Sequence, residues 1–491
     1  MQFTDLLLGD QALLDTDVID GTLEIAGLTC DSRRVRPGFL FAALPGVRVD
    51  GRDYIGAAVQ NGAVAVLAPP GTKLPTDAPV ALIEDANVRQ RFSQLAAHFY
   101  ARQPDRVVAV TGTNGKTSVA SFARQIWQQL GFKAATIGTL GVQGDGFEIV
   151  GTLTTPDPVL LHQNLADLAA AGVDRVAIEA SSHGLVQFRL DGVRVRAAGF
   201  TNISREHLDY HDTMARYLNA KMRLFSEIVD AHGTAVINAD SPEGQEIAAV
   251  ARKRGLTVMS YGRGGRDLQI LDLVADRDGQ TVTLKVAGVT STVTVPLVGT
   301  FQIENALCAL GLVIAEGADA VLATAALAHL QGVPGRMQRV GGHRGASAFV
   351  DYAHTPDGLK NMLQAMRPYT QNTLHVVFGC GGDRDAGKRV QMGAVAARYA
   401  DRVTITDDNP RTEDPAAIRA GILAGCPEAD EIGDRHRAIL KAVESMQNGD
   451  VVVVTGKGHE QGQIVADQVL PFDDIEEIKS ALDAQQREGD A

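Results

Sequence analysis

The stretch RVVAVTGTNGKTSVASFARQIWQQLG, residues 106–131, limits the fold more than any other. It reads as an apolar β-branched strand, a glycine turn and an amphipathic helix. The same unit recurs in GVDRVAIEASSH, AAGFTNISREH, TLHVVFGCGGDRDAG, DRVTITDDNPR and GDVVVVTGKGHE. Such βα alternation predicts α/β domains with mostly parallel sheets covered by helices on both faces. Ligands of doubly wound sheets bind beyond the C-terminal ends of the strands, where GTNGKTS, EASSH, GCGGDRD, DDNPR and GKGHE fall.

A chain of 491 residues accommodates about three domains at roughly 150 residues each. The division expected is 1–103, 104–335 and 336–491, with breaks at Pro104 and at GVPGRMQRV. The first segment ends in the helical stretch NVRQRFSQLAAHFYARQ. Around 268–298 the pattern turns to period-two alternation with Asp-Gly turns, which predicts an antiparallel excursion. A formal net charge of −13 excludes a broad nucleic-acid surface, so an anionic ligand must be held by local loops and single cations. Cys30, Cys308, Cys380 and Cys426 show no C-x-x-C spacing, which argues against zinc knuckles and disulfides and suits a reducing compartment. The acidic N-terminus does not read as a signal peptide, and no apolar run reaches membrane-spanning length. A soluble cytoplasmic protein is expected.

Residues 110–118, VTGTNGKTS, carry the strongest chemistry. A glycine turn entering a helix aims N–H groups at phosphate oxygens. Lys116 can reach the terminal phosphates, and the Thr117 hydroxyl can hold Mg²⁺. Two residues separate Gly112 from Gly115, where the standard phosphate-loop pattern has four. Glu179, after an apolar strand, stands where a second Mg²⁺ contact is expected. His207 and His211 are four apart on an expected helix, a spacing that permits a metal pair or two structural histidines. Lys221 in YLNAKMRLF reads by itself as a solvated helix lysine.

TGTNGKTS, EASSHGL, TNISREHLDYHDTMARYLNAKMRLF, PGRMQRV and DYAHTPDGL together resemble the Mur ligase family, the ATP-dependent amide ligases of peptidoglycan precursor synthesis. LTCDSRRVRPGFLFAALPG, TTPDP, DNPR and GKGHE narrow the resemblance to members that add meso-2,6-diaminopimelate to UDP-MurNAc-L-Ala-D-Glu. It implies an ADP-forming ligase working through an acyl phosphate, with a central phosphate-loop domain and a C-terminal Rossmann-like domain. Gly112, Thr113, Asn114, Gly115, Lys116, Thr117, Ser118, Asn305, Arg336 and Asp351 would meet ATP, with Gln302 where the family usually has asparagine. Thr117, Glu179 and His207 would hold Mg²⁺. Lys221 would carry a CO₂-derived carbamate, a modification that requires a neutral amine.

For the UDP-MurNAc-peptide the resemblance points to Cys30, Ser32, Val47, Arg48, Val49, Thr154, Thr155, Ser181, Gln187 and Arg189; no role carries over to Leu153. For diaminopimelate it points to Arg384, Asp408, Asn409, Pro410, Arg411, Gly456 and Glu460. A guanidinium fork matches a carboxylate bidentately, so Arg411 is expected to select the diamino acid over lysine, which lacks the distal carboxylate. The chain is expected to act as a monomer on small-molecule substrates. Alternatives are a lysine-adding relative, a folylpolyglutamate-synthetase-like ligase, an inactive paralogue, and a phosphate-loop switch without ligation chemistry.

Overall fold

The structure is a computed structural model that describes residues 1–7, 23–46, 49–75, 80–151, 153–276 and 279–489. It contains three α/β domains. In the first, strands Gly27–Thr29, Phe39–Ala42, Ala63–Ala68 and Ala81–Glu84 pair in parallel in chain order. Leu40, Ala65 and Leu67 face helix Val88–Tyr100, while Phe41 and Val66 face helix Ile55–Gln60. Near-continuous burial along the strands, with side chains packed on both faces, is what a covered parallel sheet requires.

The central sheet has eleven strands and is mixed. Seven neighbouring strands run parallel, from Leu268–Asp276 through Val195–Phe200, Arg106–Thr111 and Arg175–Glu179 to Ala134–Gly138. The antiparallel excursion lies where the alternation places it: Gly279–Val286 pairs with Leu268–Asp276 and with Val289–Val295. A second antiparallel hairpin, Gly141–Gly144 with Phe147–Ile149, closes the opposite edge around Asp145-Gly146 and was not anticipated. Helices Lys116–Gln129 and Thr300–Ala315 cover one face, and Pro158–Ala170 and Pro242–Lys253 the other.

The C-terminal sheet orders its strands 338–341, 347–351, 451–455, 374–378, 402–405, 430–431, with only the first antiparallel. Val451 and Val453 pack with helices Pro356–Met366 and Gly387–Tyr399, whereas Val452 and Val454 pack with Arg435–Glu444. That is a doubly wound sheet. A separate hairpin, Gly462–Val465 with Gln468–Pro471, stands outside it.

Candidate active site

A cavity of about 600 Å³ opens between the central and C-terminal domains. The ends of four adjacent parallel strands feed it: the loop after Thr111, Glu179, the loop after Phe200, and Asn238. The C-terminal domain contributes Asp351, Tyr352, Ala353 and His354 from the end of its strand Ser347–Asp351.

The glycine turn is shaped by close approach. Gly115 has φ +91°, and a Cβ there would lie 2.2 Å from Asn305 Oδ1. Only glycine fits that conformation and that space. Thr201 Oγ1 donates to Asn114 O at 2.6 Å, and Asn114 N–H donates to Asn202 Oδ1 at 3.0 Å, so the neighbouring strand end holds the loop. Asn305 in turn donates to Gln302 Oε1 at 3.1 Å, and Gln302 Nε2 donates to Arg336 O at 3.3 Å. Gln302 therefore retains a function as a bracket between helix and domain boundary. The Arg336 guanidinium lies 3.9 Å over the Tyr352 ring. Asp351 accepts N–H bonds from Met337 and Ala353, both at 2.8 Å, and burial pushes its carboxyl up.

Two lysines share one acceptor. Lys116 Nζ donates to Gly112 O at 2.9 Å and Thr113 O at 2.8 Å, and Lys221 Nζ donates to the same Gly112 O at 2.8 Å. Burial lowers the Lys116 pKa. Lys221 is 1% exposed, on helix Met214–Arg223, and its Nζ sits 4.3 Å over the Tyr217 ring. Burial, reinforced by the Lys116 charge, pushes it well below the ordinary lysine value. The solvated lysine read from the sequence is thus an internal one, because its helix turns this face toward the phosphate loop.

Glu179 is the hub of a hydroxyl chain. It accepts from Thr117 Oγ1 at 3.0 Å, Thr139 N–H at 2.8 Å and Thr139 Oγ1 at 3.2 Å. Thr139 Oγ1 lies 3.1 Å from Thr154 Oγ1. On the same side, Thr155 Oγ1 donates to Glu179 O at 2.7 Å and lies 3.0 Å from Ser181 Oγ, while Arg189 donates to Thr155 O at 2.7 Å and to Gln187 Oε1 at 2.7 Å. Residues expected for Mg²⁺ and ATP and residues expected for the UDP-MurNAc-peptide are therefore one continuous network. Thr139 is the link that sequence reading missed.

His207 departs from its expected setting. It precedes helix Leu208–His211 in a left-handed conformation, φ +56°, so the two histidines are not paired on one helix face. His211 Nε2 instead lies 2.9 Å from Ser182 Oγ. His183, also missed, packs its ring 4.8 Å from His207 and 5.5 Å from His211. Glu206 joins the domains: one carboxylate oxygen is 3.2 Å from His354 Nε2 and the other 3.8 Å from His207 Nε2. Burial alone would raise Glu206, but the His354 bond and the His354, His207 and Lys116 charges outweigh it and hold the carboxyl well below its usual range.

Thr117, Glu179 and His207 all line the cavity and supply a hydroxyl, a carboxylate and an imidazole. Among the described residues no three His, Cys, Asp or Glu side chains form a ready metal cage. The hydroxyl of Thr117 and the carboxylate of Glu179 fit Mg²⁺, which takes one or two protein oxygens and fills its octahedron with water and phosphate; the imidazole of His207 is not a typical magnesium donor.

The residues expected to meet diaminopimelate do not line this cavity. Arg411 follows strand Arg402–Ile405 in a left-handed conformation, φ +52°, which costs about 1–3 kcal/mol for a non-glycine residue. Its N–H donates to Ile464 O at 3.0 Å, its carbonyl accepts from Ala466 at 2.7 Å, and Nη1 donates to Gly382 O at 2.8 Å. Among the described residues Nε and Nη2 have no protein partner. Arg384 is exposed, and its Cγ and Arg411 Nη1 flank Gly381. Asn409 donates to Glu460 Oε2 at 2.9 Å, and Asp408, Asn409 and Pro410 are buried. In the N-terminal domain Ser32 is buried, Cys30 and Val49 are exposed, and Val47 and Arg48 lie outside the described residues.

Comparison with known proteins places this arrangement. Residues 24–100 match the Mur ligase family catalytic domain, 110–313 the Mur ligase middle domain, and 335–458 the Mur ligase glutamate ligase domain. The chain belongs to the Mur ligase family. It is 51% identical over 483 residues to a UDP-N-acetylmuramoyl-L-alanyl-D-glutamate–2,6-diaminopimelate ligase of Bradyrhizobium diazoefficiens, covering 97% of this chain and 98% of that one. It is 52% identical over 466 residues to the ligase of the same name from Caulobacter vibrioides, covering 94% and 96%. A solved structure of a ligase so named superposes with a TM-score of 0.72 at 34% identity, over 99% of each chain. Mycobacterium tuberculosis folylpolyglutamate synthase complexed with ADP shares the fold, at TM-score 0.63 and 21% identity, over 76% of this chain and 92% of its own.

Proposed function

We propose that this protein is the ATP-dependent ligase that adds meso-2,6-diaminopimelate to UDP-MurNAc-L-Ala-D-Glu in peptidoglycan synthesis. The observation that carries this reading is Arg411, whose Nη1 donates to Gly382 O and Asn409 O while Nε and Nη2 have no hydrogen-bond partner among the described residues, in a chain alike over its full length to ligases of that name. The division of labour runs 1–103 for the nucleotide-sugar, 104–335 for ATP and 336–491 for the amino acid.

In this mechanism the D-Glu side-chain carboxylate attacks the γ-phosphorus of ATP, forming a carboxyl–phosphate bond as the bond to ADP breaks. The free amine of diaminopimelate then adds to that carbonyl, loses a proton, and expels phosphate as the amide forms. The protein supplies positioning and charge stabilisation rather than a covalent partner. Gly112, Thr113, Asn114, Gly115 and Ser118 cradle the phosphates. Lys116 turns from its two carbonyl partners toward the transferring phosphoryl group. Asn305, Arg336 with Tyr352, and Asp351 hold the nucleoside. Thr117, Glu179, His207 and Lys221 as its carbamate would hold Mg²⁺, which neutralises phosphate charge when bound. The low proton affinity of Lys221 favours the neutral amine that such a modification needs.

On the acceptor side, Thr154, Thr155, Ser181, Gln187 and Arg189 contact the peptide end of the nucleotide-sugar, and Cys30, Ser32 and Val47–Val49 its UDP end. Arg384 and Arg411 take the carboxylates of diaminopimelate, and Asp408, Asn409, Gly456 and Glu460 line the rest of the pocket. Among the described residues no helix is long and apolar enough to cross a membrane. We place the enzyme in the cytoplasm, the compartment typical of the family.

The test is phosphate release by the purified protein with ATP, Mg²⁺ and UDP-MurNAc-L-Ala-D-Glu, supplied with meso-diaminopimelate or lysine in parallel. Turnover with meso-diaminopimelate and little with lysine is expected. Equal rates would remove the selector. ATP binding without acceptor-dependent turnover would overturn the ligase reading.

A further inference from the structure

Lys457 is 0% exposed and takes no part in the chemistry described above. An ammonium group taken wholly out of water is costly unless every N–H finds an acceptor. Here three donors meet three oxygens: Asn409 Oδ1 at 3.0 Å, Gly462 O at 2.5 Å and Glu460 Oε2 at 3.5 Å. The backbone on both sides is left-handed, with φ +113° at Gly456 and +59° at Gly458. A Cβ at Gly456 would stand 2.6 Å from Asp408 Oδ2, and one at Gly458 2.9 Å from Gly335 O and the Tyr352 ring. These two glycines let the chain bring Lys457 inward against the 407–411 loop.

The acceptors are not arbitrary. Asn409 Oδ1 also receives the Ile464 N–H at 2.9 Å, and Asn409 Nδ2 donates to the same Glu460 oxygen that Lys457 meets. Lys457 therefore joins the Ile464 N–H in setting which way the Asn409 amide faces, and it sets which oxygen of Glu460 turns inward. The other Glu460 oxygen has no protein partner among the described residues. Ile464 carries the effect further, since its carbonyl holds Arg411 N–H and the next turn's Ala466 holds Arg411 O. Gln463 Nε2 closes the connection onto Asp408 O at 2.7 Å.

We infer that Lys457 is a positioning residue for amino-acid selection: its buried ammonium pins Asn409, Glu460 and the 462–471 hairpin, and through the hairpin the strained backbone of Arg411. This deepens the proposed function and rests on it. Without the cation, Glu460 loses a charged partner, the Asn409 amide keeps only the Ile464 N–H and the Glu460 oxygen to orient it, and the hairpin's hold on Arg411 in its left-handed conformation weakens. Recognition of the distal end of meso-diaminopimelate should fail before recognition of ATP or the nucleotide-sugar does.

The test uses the full-length enzyme carrying Lys457→Met, similar in length and apolar, and Lys457→Gln, which keeps N–H donors without the charge. Wild-type enzyme is measured first with meso-diaminopimelate and with lysine. Absence of discrimination there would refute the proposed selector itself, before Lys457 is addressed. Given discrimination, Lys457→Met should raise the KM for meso-diaminopimelate about 100-fold and shrink the preference over lysine at least tenfold. The KM values for ATP and nucleotide-sugar should stay within about twofold, and Lys457→Gln should fall between the two. A folded variant with intact preference, or one whose three KM values rise together, would overturn the inference. So would failure of both variants to fold, which would assign Lys457 to domain stability alone.

Discussion

Around the phosphate loop, two ammonium groups, the buried Lys221 and the half-buried Lys116, meet at one carbonyl, Gly112 O, with proton affinities lowered by desolvation. In the C-terminal pocket Arg411 uses Nη1 on Gly382 O and leaves the rest of its guanidinium open, while Arg384 is exposed. The difference suits the role proposed for each cation. A lysine that must stabilise charge, or lose a proton to be modified, gains from a low-dielectric setting that water does not screen. An arginine that must recognise a carboxylate stays charged in any setting, so the fold controls its direction rather than its protonation. Strain is placed accordingly, in the backbone of Arg411 rather than in the solvation of its side chain.

The sharpest way to break this contrast is to remove one cation from each region. Lys221→Ala should lower kcat about 1,000-fold whichever amino acid is offered, the scale of a lost electrostatic stabiliser. A short carboxylic acid should restore part of the activity by standing in for the carbamate. Retention of full activity would remove Lys221 from the mechanism. Arg411→Ala should lower kcat/KM for meso-diaminopimelate about 100-fold through KM, with ATP unaffected, as expected for a charged hydrogen-bonded pair worth about 1.5–3 kcal/mol. If instead the KM for ATP rose in step, Arg411 would be structural.

A smaller effect is expected where the regions meet. Glu206 of the central domain and His354 of the C-terminal domain form a hydrogen bond across the cavity, Nε2 lying 3.2 Å from the carboxylate. His354→Ala should cost about tenfold in kcat/KM, the value of one charge-assisted hydrogen bond. Scattering from the variant with an ATP analogue and nucleotide-sugar should show less compaction than wild type. Unchanged compaction would mean that this pair does not help hold the domains together.

These regions were not equally legible in the sequence. The phosphate loop declares itself because strand, glycines, Lys116 and Thr117 are contiguous, and local geometry is enough to aim them. The fold follows from continuous apolar strands such as Val451–Thr455, buried on both faces, and from period-two alternation with Asp-Gly turns around 268–298; the same turn signal at Asp145-Gly146 was present but lay in a short polar stretch. Lys221 was readable only through its family resemblance, since YLNAKMRLF does not show which helix face meets Gly112. Thr139, His183, Glu206 and His354 were missed for one reason. Each acquires its meaning from a partner far along the chain: 40 positions for Thr139 and Glu179, 148 for Glu206 and His354. The helix expected for His207 failed because SREH connects strand to helix, with a left-handed residue making the turn.

In their stability toward acid the two domains should behave alike. His162 in the central domain is 0% exposed, with Nε2 3.3 Å from Asp191 O; His375 in the C-terminal sheet is 3% exposed, with Nε2 2.9 Å from Thr404 Oγ1. Burial lowers both from the ordinary 6.5 to about 4. In the unfolded chain each takes a proton near 6.5, and in the folded chain only near 4. Between those values the unfolded state binds more protons, so stability is full above pH 6.5 and is lost as pH falls toward 4. At pH 5.5 each histidine should cost about 1 kcal/mol relative to pH 7.5, one pKa unit being about 1.4 kcal/mol. His375→Gln should weaken the acid dependence of the urea midpoint by that amount, and His162→Asn by a similar one. If either variant kept the wild-type slope between pH 7.5 and 5.5, its histidine would be protonated in the folded protein. The packing around it would then be open to water, contrary to its burial here.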